Sequence, residues 1–569
     1  MSLPWRLGKE TDNMKKMTKR GKIILSIVSG VVFTAIMYYF TLPVINPMSP
    51  SFWSTLTLVI ASFAYPFLMK NDVEKKTYEE NPKSVINVKV NFSKINLAVV
   101  IVIAVPLVIM LLGNVISSKV FNAKGYANVI TVTEADFATD MKETGEVTNI
   151  ALMDGESAKT IGNRTLGNLS EVVSQYEISD TYTQINYKQT PKKIANLEYA
   201  DFFKWFANKD KGVPGYVMVD PVNNTAEYVE LETSLKYVES GFLGDDLMRK
   251  LRFSYPTKIF DDFISFEVDE EGRPFYIITC LSPKVFPFGA MDVSEVIIFD
   301  PCTGESEIYS VGDVPAWVDA VYSGNLAEEK YNWHGTLSGG FINSIIGNKD
   351  CKKTTDDYGY IVIGDDVWYF TGVTSVTSDE SNIGFIISNA RTGEYKYYPV
   401  VGAEEYSAMR AAEGEVQEKG YTASFPSLIN VSGQATYIMV LKDVGGLVKL
   451  YALVNVEQYS VVATGTTQAE AMAAYKALLK QSGIVNDVEP PSAEVLSAMF
   501  TVSEIKTYTV EGNTVMYFVS EDGIYYKGMI GEIEELIFVS EGDALCVEYS
   551  ETDNEKIRLI KKLEPVVKE

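Results

Sequence analysis

The stretch VIIFDPCTGESEIYSV, residues 296–311, has a near twin in FIISNARTGEYKYYPV, residues 385–400. Each reads as an apolar strand, a turn opened by Asp300 or Asn389, and an alternating strand rich in Glu and Tyr. An Asp or Asn side chain accepts hydrogen bonds from the amides of its own turn. Gly304 and Gly393 fall where such a chain needs a positive φ. Two weaker copies flank them: YVMVDPVNNTAEYV from Tyr216, with Asn224 at the positive-φ place, and YALVNVEQYSVVATG from Tyr451. Aligned on Asp220, Asp300, Asn389 and Asn455, the copies are spaced by 80, 89 and 66 residues. Such uneven spacing argues for separate small domains rather than a solenoid.

The surroundings recur as well. An apolar strand precedes three of the hairpins: PFYIITCL from Pro274, VWYFTGVTSV from Val367 and TYIMVLKD from Thr436. A helix is expected after each: VPAWVDAVYS from Val314, AEEYSAMRAAEGEVQEK from Ala403, and TTQAEAMAAYKALLK from Thr466 with a capping box at Thr467 and Glu470. The unit is then about three antiparallel strands plus a helix. With Asp300, Thr303, Gly304 and Glu305 in one copy and Asn389, Thr392, Gly393 and Glu394 in another, it resembles the PepSY-type domains of bacterial exported and membrane proteins. Through LEYADFFKW, GFINSIIG and VNVEQYSVVATG the chain also resembles membrane-anchored envelope proteins of clostridia and other Firmicutes. The resemblance implies a binding or restraining role toward another envelope protein and supplies no active site.

Three apolar segments near the amino end fix the expected address. Residues 23–45, 51–69 and 95–116 carry no charge, and each approaches the length that crosses a ~30 Å hydrocarbon core. Arg6, Lys9, Lys15, Lys16, Lys19, Arg20 and Lys22 precede the first, and Lys70, Lys75, Lys76, Lys83, Lys89 and Lys94 lie between the second and third. Basic loops stay cytoplasmic, so the chain from about residue 117 onward is expected outside the cell membrane. That part holds 37 basic and 69 acidic residues, and the whole chain carries a net charge of −25. Phosphate polymers are disfavoured as partners by such a balance.

The expected organisation is an α+β multidomain chain: a cytoplasmic amino end (1–22), a transmembrane region with three helices (23–117), a helical extracytoplasmic segment (118–210), PepSY-like modules (211–335, 336–420 and 421–485), a linker (486–499), and an OB- or SH3-like β-barrel (500–569). In 118–210, Thr133 is read as the N-cap of a helix in TEADFATDM, and the aromatics of NLEYADFFKWFANK as docking a second. The barrel region carries seven basic residues against 15 acids, which disfavours nucleic acid there too.

The search for chemistry yields no catalytic, cofactor or metal residues. His334, the single histidine, has no nucleophile motif around it and is read as structural. Cys280, Cys302, Cys351 and Cys546 have no metal spacing, and Cys280 with Cys302 is the one pair that invites a check for a bridge. The acidic doublets 245–246, 261–262, 356–357, 365–366 and 404–405 are read as solvated surface. The expectation is a non-enzymatic membrane-anchored scaffold that holds another envelope protein. The alternatives are an accessory part of an export or transport assembly, and an envelope hydrolase using two carboxylates from different modules.

Overall fold

The Asx turns fold as their side chains dictate. In a computed structural model that describes residues 19–68, 74–75, 88–89, 94–144, 152–355, 357–485, 496–510, 513–530, 533–551 and 556–564, Asp220 Oδ1 accepts from the amides of Val222 and Asn223 at 2.9 and 2.8 Å. Asp300 Oδ1 does the same with Cys302 and Thr303 at 2.7 and 3.2 Å, and Asn389 Oδ1 with Arg391 and Thr392 at 2.9 Å each. Asn455 Oδ1 accepts from Gln458 at 2.8 Å. Asn224, Gly304 and Gly393 take the left-handed φ expected of them, at +54°, +78° and +71°. The chain divides into two compact units, residues 1–478 and 479–569.

Each of these turns belongs to a separate sheet of the first unit. The first sheet orders Tyr176–Ile178, Thr190–Tyr199, Val213–Asp220 and Thr225–Leu235, with Thr183–Tyr187 also on Thr190–Tyr199. The second is a meander of Ile259–Val268, Pro274–Val285, Gly289–Phe299 and Ser306–Ser310. The third is built on Asp366–Ser375, Ser378–Asn389 and Tyr395–Tyr398, and the fourth on Gln434–Lys442, Val448–Asn455 and Val462–Gly465. The first and second sheets share a core in which Tyr216 meets Phe266 edge-on at 5.9 Å. The third and fourth share another, with Phe385 against Tyr437 at 5.8 Å. This is an α+β architecture of paired antiparallel sheets.

Apart from the helix Gln468–Gln481, which follows the fourth sheet as expected and bonds it through Tyr475 and Thr436 at 3.0 Å, helices precede their sheets rather than follow them. Gly324–Leu337 buries Ala327 and Tyr331 against the third sheet. Glu405–Glu415, expected to close the third, packs on the fourth. The chain entering each of these helices docks on the hairpin ahead. Val321 and Tyr322 donate their amides to Ala390 O at 3.0 and 2.7 Å, and Ala403 donates to Val456 O at 2.8 Å. In the second sheet Lys236 and Tyr237 donate to Pro301 O at 2.9 and 3.0 Å ahead of the helix Leu247–Ser254. The Tyr237 ring lies over Gly304 and the Tyr322 ring over Gly393, where an added Cβ would stand 2.5 and 2.6 Å from ring carbons. The helix expected over VPAWVDAVYS therefore does not form. Its amides are taken by Ala390 and by Glu267, and Val318 and Val321 fill the back of the second sheet.

Each connector between sheets is fastened by a buried carboxylate. Glu198 of the first sheet accepts from Ser240 N at 2.8 Å and from the Ser240 hydroxyl. Glu267 of the second accepts from Asp319 N and Ala320 N at 2.7 and 3.1 Å. Glu405, on the connector itself, reaches back to Gly372 N of the third sheet at 2.6 Å. Glu267 and Glu405 are fully buried. Burial raises them from the ordinary 4.5, to about 6 for Glu267 and about 7 for Glu405.

Within 118–210 the structure differs from the helical expectation. Thr133 lies in the strand Val132–Glu134, which joins the third sheet parallel to Tyr395–Tyr398, and Asp136 caps the short helix Phe137–Asp140 through Thr139 N at 3.0 Å. The strands of the first sheet begin at Tyr176, so Leu197 is a strand residue. Of the aromatics in the helix Phe202–Asn208 only Trp205 is buried, while Phe203 and Phe206 are 76% and 62% exposed. The helix Gly155–Gly167 does form, capped by Asp154 through Ser157 N at 2.8 Å.

Helices also form at the three apolar segments: α1 (Lys19–Thr41), α2 (Pro50–Leu68) and α3 (Lys94–Ile116). Among the described residues two of them, not three, are long and apolar enough to cross a membrane: Arg20–Thr41 at a mean hydropathy of 2.1 and Leu97–Ile116 at 2.9. In α2 the hydroxyls of Ser51, Ser54, Thr55, Thr57 and Ser62 dilute the apolar run. Ser26 donates its hydroxyl to Phe63 O, and Gly30 lets the Phe63 ring close on the α1 backbone. The residue before Pro43 ends α1 early. The chain then runs extended to Ile45, whose amide bonds Pro256 O at 2.7 Å.

The second unit is a closed five-stranded barrel. Its strands, Leu496–Val510, Asn513–Ser520, Tyr525–Met529, Ala544–Glu551 and Ile557–Glu564, close in the order first, second, third, fifth, fourth. The third and fifth run parallel. The barrel begins four residues inside the expected linker. Residues 486–495 lie outside the described ones.

Two outcomes are expected. A raised carboxylate holds its proton more tightly folded than unfolded, so its contribution to stability is full below the unfolded value and lost as pH rises through the folded one. Thermal stability of the full chain should thus fall between pH 5 and 8, and Glu405→Gln should remove on the order of 3 kcal/mol of that slope. A melting temperature equally pH-dependent in both proteins would refute the assignment. Second, Gly304→Ala and Gly393→Ala should each cost about 1–3 kcal/mol more than Gly364→Ala. Gly364 has the same positive φ but open space around it. Equal losses, by chemical denaturation, would show that the tyrosine docking contributes nothing.

Candidate functional site

The first sheet ends in an edge strand, Thr225–Leu235, which pairs only with Val213–Asp220. Its register breaks: Gly215 faces Glu230 while Val213 faces Leu235, so residues 231–234 bulge from the ladder. The bulge leans on the second sheet's hairpin, where the Cys302 thiol donates to Thr233 O at 3.2 Å. Between this edge, the turn at 269–275 and the hairpin at 300–303 lies a groove of about 940 Å³.

Sequence sets the chemistry of the groove. On the edge strand Glu227, Glu230 and Glu232 are exposed, and Glu271 and Asp300 add carboxylates from the opposite wall. The one cation in the lining, Arg273, is already held by Asp269 at 2.6 Å. The floor and sides are aromatic, with Tyr187, Tyr216, Tyr228 and Phe275. Tyr216 fixes the turn by donating its hydroxyl to Gly272 O at 3.1 Å, and Gly272 takes φ +83° to allow it. Burial pushes the Tyr228 phenol up to about 12, so it stays a neutral donor. Aromatic faces, surplus negative charge and an edge strand paired on one side give the groove a chemistry complementary to an extended, positively charged segment.

The residues singled out from the sequence do not assemble into chemistry. His334 is structural, its Nδ1 2.9 Å from Ala127 O. Cys280 and Cys302 are both free thiols, on a strand centre and in a turn. The acidic doublets mostly do local work rather than lie solvated. Asp246 caps the helix Leu247–Ser254, Asp245 accepts from Trp205 Nε1 at 3.2 Å, and Asp366 holds Asn389 and Arg391. Asp261 accepts from Ser323 Oγ at 2.9 Å, and Asp356 lies outside the described residues.

Sequence reasoning missed the acids that matter most. Glu267, in a strand of the second sheet, and Asp319, on the connector that follows that sheet, are two buried carboxylates, and burial, then the Glu267 charge, pushes Asp319 well above the usual carboxylate range. They hold backbone amides rather than a cleft: Asp319 Oδ2 takes Asn186 N at 2.6 Å and Glu267 takes the connector. The available signal was a lone Glu inside an apolar strand, as in ANLEY and ISFEV.

No family model and no curated protein matches the chain. A solved structure of a levansucrase variant from B. megaterium aligns at 9% identity and a TM-score of 0.16, covering 78% of this chain and 98% of that one, a superposition that carries no argument.

The free thiols are directly testable. Alkylation of the denatured, unreduced chain should add four labels, one per cysteine. In the native chain Cys280, pushed up to about 12 by burial, should stay unlabelled at pH 8. A mass deficit of two protons, or rapid native labelling of Cys280, would contradict the structure.

Proposed function

We propose that the protein is a non-enzymatic, membrane-anchored scaffold that holds a basic, extended segment of another envelope protein in the groove along Thr225–Leu235. The observation that carries this reading is the pairing of an open, bulged sheet edge with five carboxylates and four aromatic rings in one groove. Strand addition supplies main-chain hydrogen bonds, and the carboxylates select for Lys and Arg.

Membrane anchorage is supported by where the body meets the helices. Tyr38 of α1 packs edge-on against Phe253 at 5.5 Å, and the Arg249 guanidinium sits 4.4 Å from the Tyr39 ring. At the end of α3, Gly113 gives room to the Phe288 ring. Exposed Phe253, Phe286 and Phe121 surround these contacts, as rings do at a bilayer interface. The body follows the carboxyl ends of both apolar helices, and the basic residues at their amino ends support a body outside the cell under the positive-inside rule. The four Asx-turn sheets, each entered through a helix, fit tandem PepSY-like modules grown by duplication. The barrel's strand order is that of OB folds.

The full chain in detergent micelles should bind a short peptide of alternating Val and Lys, read by fluorescence anisotropy, with affinity falling as salt rises. Reversing Glu227, Glu230 and Glu232 to Lys should weaken it at least tenfold. Binding that ignores both salt and the reversal would overturn the proposal.

A further inference from the structure

A second cavity, of about 210 Å³, lies where the first, third and fourth sheets meet. Lys193 of the strand Thr190–Tyr199 lines it and is only 5% exposed. Among the described residues its ammonium has no hydrogen-bond or ion-pair partner, and it lies over the Tyr360 ring, 5.0 Å from its centre. Its cross-strand neighbour is Gln184, so both side chains stand on one face of the sheet. Gln184 is 3% exposed, donates Nε2 to Lys192 O at 3.1 Å, and leaves Oε1 buried without a partner. An unpaired buried ammonium and an unpaired buried carbonyl are each costly, and they stand side by side.

The charges around them do not cancel the surplus. Asp154 also lines the cavity, but its carboxylate is committed to Ser157 N at 2.8 Å and to Lys442 Nζ at 2.6 Å. Asp357, on the rim, is exposed. Gly155, the first residue of a 13-residue helix, brings the positive end of that helix to the same wall. Burial lowers the Lys193 ammonium to about 8 against the pull of Asp154, as a cation short of an anion would behave. The volume is that of roughly seven waters, enough for a molecule of a few heavy atoms.

We propose that this cavity binds a small organic carboxylate that also carries a hydrogen-bond donor beside it, an α-hydroxy or α-amino acid. The carboxylate pairs with Lys193 Nζ, and the hydroxyl or ammonium donates to Gln184 Oε1. Leu152 and Met153, both buried, offer an apolar wall to the ligand's side chain. The site is separate from the groove and does not rest on the scaffold reading.

Calorimetry on the full chain in detergent micelles, with L-lactate, L-alanine, acetate and inorganic phosphate as probes, tests it. Lactate or alanine should bind, which of the two revealing the source of the donor, and acetate should bind at least tenfold more weakly. Lys193→Met, which removes a buried charge while keeping bulk, should abolish binding with the thermal melt retained. Gln184→Leu should reduce the preferred acid to the affinity of acetate. If Lys193→Met fails to fold, Gln184→Leu alone decides. Absence of lactate and alanine binding, binding unchanged in either variant, or phosphate binding as tightly as the acids would overturn the proposal.

Discussion

The first unit depends on carboxylates that have been taken out of water to hold backbone amides. A chain that leaves one sheet and starts another must cross a buried joint, and there its N–H groups have no helix or ladder to join. Glu198, Glu267 and Glu405 supply the acceptors at the three joints between consecutive sheets. Each ionised group would cost several kcal/mol to bury alone. The amides recover part of that cost, and a bound proton recovers more. This explains why raised values gather at the joints. It also sets order. Only with the connector seated can Tyr237 or Tyr322 lie on its hairpin glycine and the next helix start where it does.

Legibility followed the range of the interactions. The hairpin turns were readable because Asp300 bonds residues two and three positions on, and the positive φ of Gly304 belongs to that same short loop. The capping box of the helix Gln468–Gln481 was readable likewise, since Thr467 accepts from Glu470 N at 3.1 Å and Glu470 from Thr466 N at 2.8 Å. The segment VPAWVDAVYS was misread because its amides go to partners 52 or more residues away. Helical periodicity in Val318 and Val321 coincided with a connector that buries the same residues in another way. Thr133 failed for a related reason: a parallel partner at Tyr395–Tyr398 is invisible from residue 133. The middle apolar helix was over-read because absence of charge was weighed more than the hydroxyls it contains.

Of the candidate sites, the sequence showed ingredients without arrangement. The acidic doublets, read as solvated surface, proved to hold caps, hydrogen-bond acceptors and ion-pair partners, with Glu405 fully buried at a joint. Lys193 was hidden in the ordinary run PKKIANL, where only the sheet reveals that the second lysine points inward while Lys192 finds Asp220 at 2.7 Å. Adjacent strand residues face opposite ways, so a Lys–Lys pair puts one lysine on each face, and a covered face buries the one it receives. The helix Gly155–Gly167 covers that second face, and the buried amine is therefore a consequence of topology that composition does not encode.

The acidic edge strand carries an older problem with it. An open edge invites any strand, including that of another copy, and natural proteins guard such edges with charge and bulges. Thr225–Leu235 has both, with Glu227, Glu230 and Glu232 along it and residues 231–234 thrown out of register. Protection and recognition are not opposed here. In a chain of net charge −25, a carboxylate-lined edge repels its own kind most strongly of all. Protection alone does not explain the aromatic walls, since Tyr187, Tyr228 and Phe275 are only half-buried and leave apolar surface open beside the guarded edge. A segment that brings cations to the glutamates and aliphatic stems to the rings satisfies both features at once, whereas a neutral or acidic strand meets one and is refused by the other. The same charge that keeps copies of this chain apart thus narrows what could join them.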